Sequence, residues 1–221
     1  MFKGIFITGT DTGVGKTYVA ENLAAALKRR GIDVGVMKPV ETGCRVRAGR
    51  LVPRDTLRLI KAASVRDSVS HVNPYRFQNP VAPLVAAELH KSKIETGKIL
   101  TTYQTLSEKH DFMIVEGAGG IMVPLSQTYL YLDLAGDIDL PVLIVARPGL
   151  GTINHTLLTI AALRARRIPI AGIVINYTEN KKIGLAEKTN PSVIESISGV
   201  KILGIIPFGS KDISVVADYL K

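Results

Sequence analysis

A glycine-rich stretch near the start of the chain, residues 9–17, constrains the fold more than any other feature of the sequence. It follows Ile5-Phe6-Ile7, a short apolar run of the kind that forms an inner strand of a parallel sheet. It precedes a segment in which Val19, Leu23 and Leu27 recur at four-residue spacing, which places one apolar stripe on a helix. The sequence therefore predicts a strand, a glycine-rich turn and a helix in immediate succession.

This turn has the physical properties of a phosphate-binding loop. Unpaired backbone N–H groups and the positive end of the helix dipole favour an anion there, and glycines let the backbone approach phosphate oxygens closely. In such a P-loop, the ammonium of Lys16 reaches the β- and γ-phosphates and the hydroxyl of Thr17 holds Mg²⁺. The spacing departs from the common G-x-x-x-x-G-K-[ST] pattern, because Thr10 stands at the first glycine position and Gly9 lies one residue earlier. The alternative is a simple turn between strand and helix.

Length and composition indicate a single domain over residues 1–221, since a chain of 221 residues with 46% hydrophobic content can bury one large core. No apolar stretch approaches the roughly 20 residues that cross a bilayer, and the first residues lack a signal-peptide pattern. A soluble, cytoplasmic protein is expected, and the single Cys44 agrees with a reducing compartment. The net charge of +9 includes a cluster of arginines at positions 45, 47, 50 and 54. No aromatic residues are interleaved with this cluster, so nucleic acid is not expected as a partner. A membrane is not expected either, because no amphipathic terminal helix is present to anchor the chain there.

Strand-like and helix-like segments alternate through the rest of the chain. Further apolar runs of strand length occupy residues 34–37, 112–115, 142–145, 171–176 and 202–207. Helix-like segments separate them, among them residues 83–90 and 95–109, a helix with Thr152 as its N-cap and a helix begun by Pro191. This alternation predicts a doubly wound α/β domain with a mostly parallel sheet and helices on both faces. The glycine-rich loop makes it a domain of the P-loop NTPase type.

Three charged residues follow predicted strands or begin a predicted helix. Lys38 comes directly after the second strand, at the sheet edge where α/β proteins bind ligands, and is either a charge-stabilising group or a solvated lysine. Asp55 begins a helix-like run and could merely cap it. Glu116 follows four apolar residues and precedes glycines, as in a Walker B strand whose carboxylate meets a metal ion.

Two further segments are candidates for a binding site. The proline-punctuated residues 73–83 are too many for a simple connector, so they are expected to shape a site or an interface. Residues 149–155 open another helix at the same sheet edge, where its N-terminus could take a second anion. His155 in this helix is expected to be a packed or surface residue, because no carboxylate partner is suggested.

A set of short motifs occurs together in this chain: Gly-Thr-Asp-Thr-Gly-Val-Gly-Lys-Thr from Gly9, Lys-Pro-Val-Glu-Thr-Gly from Lys38, Asp55, Asn-Pro-Tyr from Asn73, Glu-Gly-Ala-Gly-Gly from Glu116, Val-Pro-Leu from Val123, Leu-Gly-Thr-Ile-Asn-His from Leu150, Asn176, and Gly-Ile-Ile-Pro from Gly204. In this combination, the chain resembles the dethiobiotin synthetases, the ligases of the biotin pathway, over nearly its whole length.

The resemblance implies a ligase that uses ATP and Mg²⁺ to join 7,8-diaminopelargonate and carbon dioxide, giving dethiobiotin, ADP and phosphate. One amine captures carbon dioxide as a carbamate, and the carbamate oxygen attacks the γ-phosphoryl group. The second amine then displaces phosphate from the carbamic–phosphoric mixed anhydride and closes the cyclic urea. A carbamate 4 Å from a γ-phosphate is repelled by about 4 kcal/mol per charge pair at an effective dielectric of about 20. Cations are therefore needed to offset this repulsion.

The same resemblance assigns roles to individual residues. Those assigned to catalysis are Lys38, Lys16 and Thr12. Those assigned to magnesium are Thr17, Asp55 and Glu116. Those assigned to the nucleotide are Gly13, Val14, Gly15, Lys16, Thr17, Tyr18, Asp55, Glu116, Gly117, Ala118, Gly119, Asn176, Tyr177, Ile206, Pro207 and Phe208. Those assigned to the carbamate and diamine are Thr12, Lys38, Thr42, Gly119, Leu150, Gly151 and Asn154. In the family the substrate lies between two subunits, so the resemblance implies a homodimer in which a helix N-terminus of the partner holds the substrate carboxylate.

Other classes of protein share a P-loop of this type. Partitioning and septum-placing switch ATPases, which act on DNA or membranes, carry a signature lysine early in the loop, where this chain has Asp11. Amide synthetases of the cobyrinic acid type carry an additional glutaminase domain, which 221 residues do not accommodate. The ligase hypothesis is therefore favoured, with a switch ATPase as the alternative.

Overall fold

The computed structural model describes residues 3–220 and contains a six-stranded parallel sheet with helices on both faces. The strands are β1 (Gly4–Gly9), β2 (Val34–Met37), β3 (Val40–Glu41), β4 (Arg45–Arg47), β5 (Arg50–Val52), β6 (Tyr75–Arg76), β7 (Phe112–Gly120), β8 (Pro124–Ser126), β9 (Tyr129–Leu130), β10 (Val142–Ala146), β11 (Ile170–Asn176) and β12 (Ile202–Ile206). The helices are α1 (Lys16–Arg29), α2 (Arg54–Ala63), α3 (Val69–Val72), α4 (Pro83–Leu89), α5 (Thr96–Ser107), α6 (Tyr131–Ile138), α7 (Thr152–Ala165), α8 (Leu185–Ser198) and α9 (Ser214–Leu220).

The main sheet has the strand order β12-β11-β10-β1-β7-β2, and every neighbouring pair in it is parallel. From β1 the chain goes to β2 and β7 on one side, and later to β10, β11 and β12 on the other. The order therefore reverses at β1, and the carboxyl end of a strand at such a reversal is where open α/β sheets bind ligands. The predicted doubly wound fold is confirmed.

Two hydrophobic cores form, one on each face of the sheet, because successive side chains of a strand point to opposite faces. Ile5 and Ile7 of β1 pack into the core that includes Leu23 of α1, whereas Phe6 packs into the core that includes Leu163 of α7. With both faces covered, the inner strands are continuously buried, which is why they have no polar alternation in the sequence. Among the helices between residues 3 and 220, none combines the length and the apolar character needed to cross a membrane.

Two predicted helix starts are wrong. Helix α8 begins at Leu185 rather than at Pro191, because the Glu187 carboxylate accepts a hydrogen bond from the N–H of Gly184 at 3.0 Å and caps the earlier turn. Pro191 then lies inside the helix, where it has no N–H to donate to the preceding turn. In α7 the N-cap is Gly151, with φ of 86°, and Thr152 is the first helical residue. Glycine takes this left-handed conformation without the steric cost that threonine would meet.

The arginine-rich segment after β3, which the sequence analysis described only as a cluster of arginines, forms a hairpin of β4 and β5. The hairpin turns at Ala48 and Gly49, which both have positive φ, as a tight two-residue turn requires. Arg47 lies directly opposite Arg50 in this hairpin, and both are exposed. The hairpin joins β3 to α2, and the ends of these two elements form one wall of the site described next.

Candidate active site

A cavity of about 570 Å³ opens at the carboxyl edge of the sheet, beyond the ends of β1, β2 and β7. The predicted residues that line it are Thr12, Gly13, Gly15, Lys16, Thr17, Tyr18, Lys38, Thr42, Asp55, Glu116, Ala118 and Gly119. Pro80 and Pro83 line it as well, so the end of the proline-punctuated segment 73–83 forms part of the cavity wall. The structure thus brings the glycine-rich loop, the segment after β2 and the end of β7 together around one space.

The glycine-rich loop depends on backbone conformations that only glycine adopts easily. Gly13 and Gly15 have φ of 77° and 90°, and Gly15 is the N-cap of α1. A Cβ atom on Gly15 would also collide with the side-chain amide of Asn176, which donates a hydrogen bond of 3.0 Å to the carbonyl of Val14. The loop therefore places the first turn of α1, with its unpaired N–H groups, at the cavity.

Lys38 is the centre of a buried charge cluster. Its Nζ atom donates to Oε1 of Glu116 at 2.7 Å and to Oδ2 of Asp55 at 2.8 Å. The hydroxyl of Thr17 donates to the same Oε1 of Glu116 at 2.6 Å. Glu116 is fully buried and Lys38 is only 4% exposed, so the alternative that Lys38 is a solvated lysine is wrong.

The environment keeps Lys38 positively charged. Burial by itself would lower the pKa of Lys38, but the carboxylates of Glu116 and Asp55 outweigh burial and raise this pKa well above its usual range. Burial likewise acts to raise the pKa of Asp55, yet the adjacent ammonium of Lys38 lowers it overall. Lys38 is therefore a fixed cation at neutral pH, suited to stabilising negative charge rather than to accepting a proton.

Lys16 is in a different electrostatic state. Its Nζ atom donates to the main-chain carbonyl of Asp11 at 3.1 Å and has no carboxylate partner within hydrogen-bond distance among residues 3–220. Burial lowers the pKa of Lys16 to about 8, because the neighbouring Glu116 only partly compensates the lost hydration. The ammonium of Lys16 is thus held at the loop by a weak, neutral acceptor, which an anionic ligand can replace.

Glu41 has a role that the sequence did not reveal. Its carboxylate accepts hydrogen bonds from the N–H groups of Asp55 and Thr56, at 3.1 and 2.9 Å, and from the Thr56 hydroxyl at 2.7 Å. Glu41 therefore caps α2, and the alternative that Asp55 caps it is wrong. The side chain of Asp55 is free to face Lys38 instead. No local signal could have found this cap, because the acid and the helix are separated by the β4–β5 hairpin.

The residues predicted to bind magnesium fit a divalent cation. Oε2 of Glu116 is buried and has no hydrogen-bond partner in the described part of the chain, so an acceptor is left without a donor. Thr17 and Asp55 supply further oxygen atoms beside Lys38, within the same cluster. A hydroxyl and one or two carboxylates, completed by phosphate oxygens, are a donor set that Mg²⁺ accepts.

A second group of predicted residues lies beside the glycine-rich loop. The N–H of Tyr177 donates to the carbonyl of Ile206 at 2.9 Å, and the hydroxyl of Tyr18 donates to the carbonyl of Ser210 at 2.9 Å. Together with the contact between Asn176 and Val14, these bonds bring the ends of β11 and β12 against the start of α1. Pro207 and Phe208 are exposed in the loop that follows β12. Gly117, another predicted residue, lies within β7 and packs against Phe6.

The predicted carboxylate-binding residues at the start of α7 are not part of this cavity. Leu150 is 88% exposed, and Gly151 and Asn154 are exposed as well. Their neighbour Arg147, which the sequence analysis missed, pairs with the carboxylate of Asp11 and lines a second cavity of about 300 Å³. Its place directly after β10, at the carboxyl edge of the sheet, is a signal that could have found it.

The strand–loop–helix arrangement of the glycine-rich loop and the acid on the neighbouring strand define the chain as a P-loop protein that binds a nucleoside triphosphate. A family model described as an AAA domain matches residues 3–211. The chain is 44% identical to the ATP-dependent dethiobiotin synthetase BioD of Thermodesulfovibrio yellowstonii over 94% of this chain and 90% of that protein. It is also 44% identical to the protein of that name from Methanocaldococcus jannaschii over 91% of this chain and 92% of that one. The chain belongs to the dethiobiotin synthetase family, a family of ATP-dependent ligases.

Solved structures agree on the fold. The match to a ParA family ATPase from Chlorobium tepidum covers 99% of this chain and 90% of that protein, with a TM-score of 0.56 and 17% identity. The match to the cell division ATPase MinD from Pyrococcus furiosus covers 94% of this chain and 84% of that protein, with a TM-score of 0.56 and 21% identity. At these identities the likeness extends to the fold alone.

Proposed function

We propose that the protein is an ATP- and Mg²⁺-dependent ligase that carboxylates 7,8-diaminopelargonate with carbon dioxide and closes the ureido ring, giving dethiobiotin, ADP and phosphate. The observation that carries this proposal is Lys38, a buried cation between Glu116 and Asp55 that shares a cavity with Lys16 and Thr17 of the glycine-rich loop. A reaction that joins two anions needs such a cation at their meeting point. Identity of 44% to the ligase from Thermodesulfovibrio yellowstonii supports the choice of reaction.

In the proposed reaction the protein brings a carbamate and a γ-phosphate together against their repulsion, which is about 4 kcal/mol per charge pair at 4 Å. Lys16 leaves the carbonyl of Asp11 and binds the β- and γ-phosphates. Lys38 is already fixed by two carboxylates before substrates bind, so it stabilises the developing charge without reorganisation. Thr12, Thr42 and Gly119 line the side of the cavity proposed for the carbamate and diamine.

Thr17, Asp55 and Glu116 would hold the metal ion in this proposal. Bound Mg²⁺ would neutralise part of the charge on the phosphate oxygens. The unpartnered Oε2 of Glu116 supports the assignment, since a buried carboxylate oxygen without a donor is costly unless a ligand supplies one. Asn176, Tyr177 and residues 206–208 are proposed to border the nucleotide base, because Asn176 contacts the loop before α1 and Tyr177 is hydrogen-bonded to Ile206 beside it.

We further propose a homodimer, because the start of α7 lies outside the cavity of its own chain. Leu150, just before α7, and Leu158 within it are 88% and 61% exposed, and Asn154 is also exposed. Exposed leucines beside residues assigned to the substrate support an interface at this end of α7. In the proposed dimer, Leu150, Gly151 and Asn154 of the partner subunit close the cavity and bind the substrate carboxylate.

The protein is proposed to act as one domain over residues 1–221 in the cytoplasm, where ATP is available. The alternative, a switch ATPase that acts on DNA or membrane, is not favoured, because Asp11 pairs with Arg147 at the position of the signature lysine. The likeness to ParA and MinD proteins is one of fold.

The test is phosphate release from ATP and Mg²⁺ by the purified protein, with and without 7,8-diaminopelargonate and bicarbonate, together with mass detection of the cyclic urea. We expect phosphate release that depends on both co-substrates and matches the dethiobiotin formed. Release that ignores the diamine but rises with DNA or lipid vesicles would instead establish the switch ATPase.

The lowered pKa of Lys16 predicts how ATP affinity depends on pH. Only the protonated ammonium attracts the β- and γ-phosphates, and its pKa in the free protein is about 8. Below this pH the group is charged before ATP arrives. Above it, the protonated fraction falls about tenfold per pH unit, and affinity falls with it. Calorimetric titration with ATP between pH 7 and 9.5 is expected to show affinity decreasing above pH 8. AMP, which lacks both phosphates, is the control, and an equal decrease for AMP would contradict the role of Lys16.

Asn154→Ala is expected to raise the KM for the diamine about five- to tenfold, because the variant loses one polar contact to the substrate carboxylate. The affinity for ATP is expected to stay the same, since the nucleotide site lies elsewhere. Steady-state kinetics and ATP titration measure the two effects. Gln104→Ala, which removes an exposed amide from α5, is the matched control. Equal losses for diamine and ATP in Asn154→Ala would argue against this division of the site.

A further inference from the structure

Arg58 is a cation in the wall of the large cavity to which neither the sequence motifs nor the proposed reaction assigns a role. It lies on α2 three residues after Asp55, so the two side chains share one face of the helix. Opposite it, on α1, Glu21 lies four residues after Thr17 and shares a face with it in the same way. The pair of Arg58 and Glu21 therefore sits about one helical turn outward from the proposed metal-binding residues.

The guanidinium of Arg58 is held in place by a two-pronged hydrogen bond. Nε donates to Oε2 of Glu21 at 2.8 Å, and Nη2 donates to Oε1 at 2.6 Å. Such a fork fixes both the position and the orientation of the group. Nη1 makes no hydrogen bond to any residue from 3 to 220. Nη1 is thus left without a protein partner among these residues, on a side chain that lines the cavity and is about half exposed.

The charge balance of the cavity shows why a free donor matters there. Lys38 already has two carboxylate partners, Glu116 and Asp55, so much of its charge is compensated before any substrate binds. Lys16 has the β-phosphate as well as the γ-phosphate to bind. The γ-phosphate, however, carries charge on three outer oxygens and must meet a second anion. Arg58 is itself paired with Glu21, so beside the loop N–H groups and a bound Mg²⁺ it adds a free hydrogen-bond donor at the rim rather than net charge.

We propose that Arg58 binds the γ-phosphate through Nη1, and that Glu21 is the residue that positions it. The inference rests on the proposed function for its catalytic consequence. In that step the carbamate oxygen forms a bond to the γ-phosphorus while the bond from this phosphorus to the bridging oxygen breaks, and the electron pair leaves on ADP. Arg58 donates a hydrogen bond to an outer γ-oxygen throughout, so it stabilises the charge on the transferred group.

The first test uses binding and does not depend on turnover. Calorimetry measures the affinities of the whole protein for ATP and for ADP with Mg²⁺ and without diamine. Arg58→Gln is expected to weaken ATP binding about tenfold and to leave ADP binding unchanged, because only ATP has the γ-phosphate. Lys61→Gln is the control, since it removes a positive charge from an exposed position on the same helix. ATP and ADP binding that change equally in Arg58→Gln, or not at all, would overturn the proposal.

The second test separates a phosphate contact from a simple link between α1 and α2. Glu21→Gln is expected to reduce the preference for ATP over ADP partly, and the double variant is expected to lose no more than Arg58→Gln alone, because Glu21 acts through Arg58. If Arg58 and Glu21 only link α1 to α2, both single variants show equal falls of the thermal midpoint and keep the preference for ATP over ADP. That result would also overturn the proposal.

The third readout is turnover. Phosphate release that depends on the diamine is expected to fall about 10- to 100-fold in kcat for Arg58→Gln, with Arg58→Lys retaining part of the activity. Wild-type protein that releases no diamine-dependent phosphate would contradict the proposed function while leaving the binding result for Arg58 to be judged by itself. Unchanged kcat in Arg58→Gln beside an active wild type would refute the catalytic part of the inference alone.

Discussion

Lys38→Ala is expected to lower kcat for dethiobiotin formation about 100- to 1,000-fold while ATP still binds. The reason is that Lys38 supplies a buried, permanently charged ammonium where the carbamate and the γ-phosphate are proposed to meet. Adenine and the β-phosphate are proposed to bind through other residues, so the loss falls on turnover. Diamine-dependent phosphate release and calorimetric titration with ATP measure the two quantities.

The same substitution is expected to destabilise the protein, and the experiment must allow for this. Without Lys38, the fully buried Glu116 loses its cation, and an uncompensated buried charge costs about 3–5 kcal/mol. Kinetics are therefore run well below the thermal midpoint of the variant, with that midpoint measured by circular dichroism. Lys28→Ala, at an exposed position near the end of α1, controls for loss of a positive charge. A folded Lys38→Ala variant with kcat within twofold of wild type would remove Lys38 from the mechanism.

Glu116→Gln is expected to raise the Mg²⁺ concentration for half-maximal activity at least about tenfold, because a neutral amide is a much weaker magnesium ligand than a carboxylate. The substitution keeps the shape of the side chain and one oxygen that Thr17 and Lys38 can still reach. A change in magnesium dependence is then separated from a collapse of the cluster. The measurement is a magnesium titration of diamine-dependent phosphate release.

Asp133→Asn is the matched control for Glu116→Gln, since it neutralises another largely buried carboxylate that does not line this cavity. Because Asp133 accepts a hydrogen bond from the N–H of Leu130 at the start of α6, its substitution is expected to lower stability by about 1 kcal/mol without moving the magnesium midpoint. If Glu116→Gln leaves that midpoint where it is in the wild type, Glu116 is not a metal ligand and its buried oxygen needs another partner.

The helix and strand signals that proved reliable were local ones. The apolar run of Ile5 and Ile7 and the spacing of Leu23 and Leu27 predicted β1 and α1, because both report directly which face of an element is buried. The two wrong helix starts, at Pro191 and Thr152, have local causes of another kind. At both observed helix starts the N-cap residue is a glycine. The N–H of Gly184 donates to Glu187, and Gly151 has a left-handed backbone conformation.

By itself, the sequence determined the doubly wound fold, the glycine-rich loop, and the placing of Lys38 and Glu116 at one edge of the sheet. These follow from hydrophobic periodicity, from the conformational freedom of glycine and from the rule that parallel strands end at a common edge.

Only the tertiary structure decided which charges meet. Lys38 pairs with Asp55, 17 residues away, and with Glu116, 78 residues away. Glu41 rather than Asp55 caps α2, and Arg58 of that helix pairs with Glu21 of α1. Such contacts depend on how the helices settle on the sheet and on which groups lose their water there. Both are properties of the packed molecule, and no short stretch of the chain contains them.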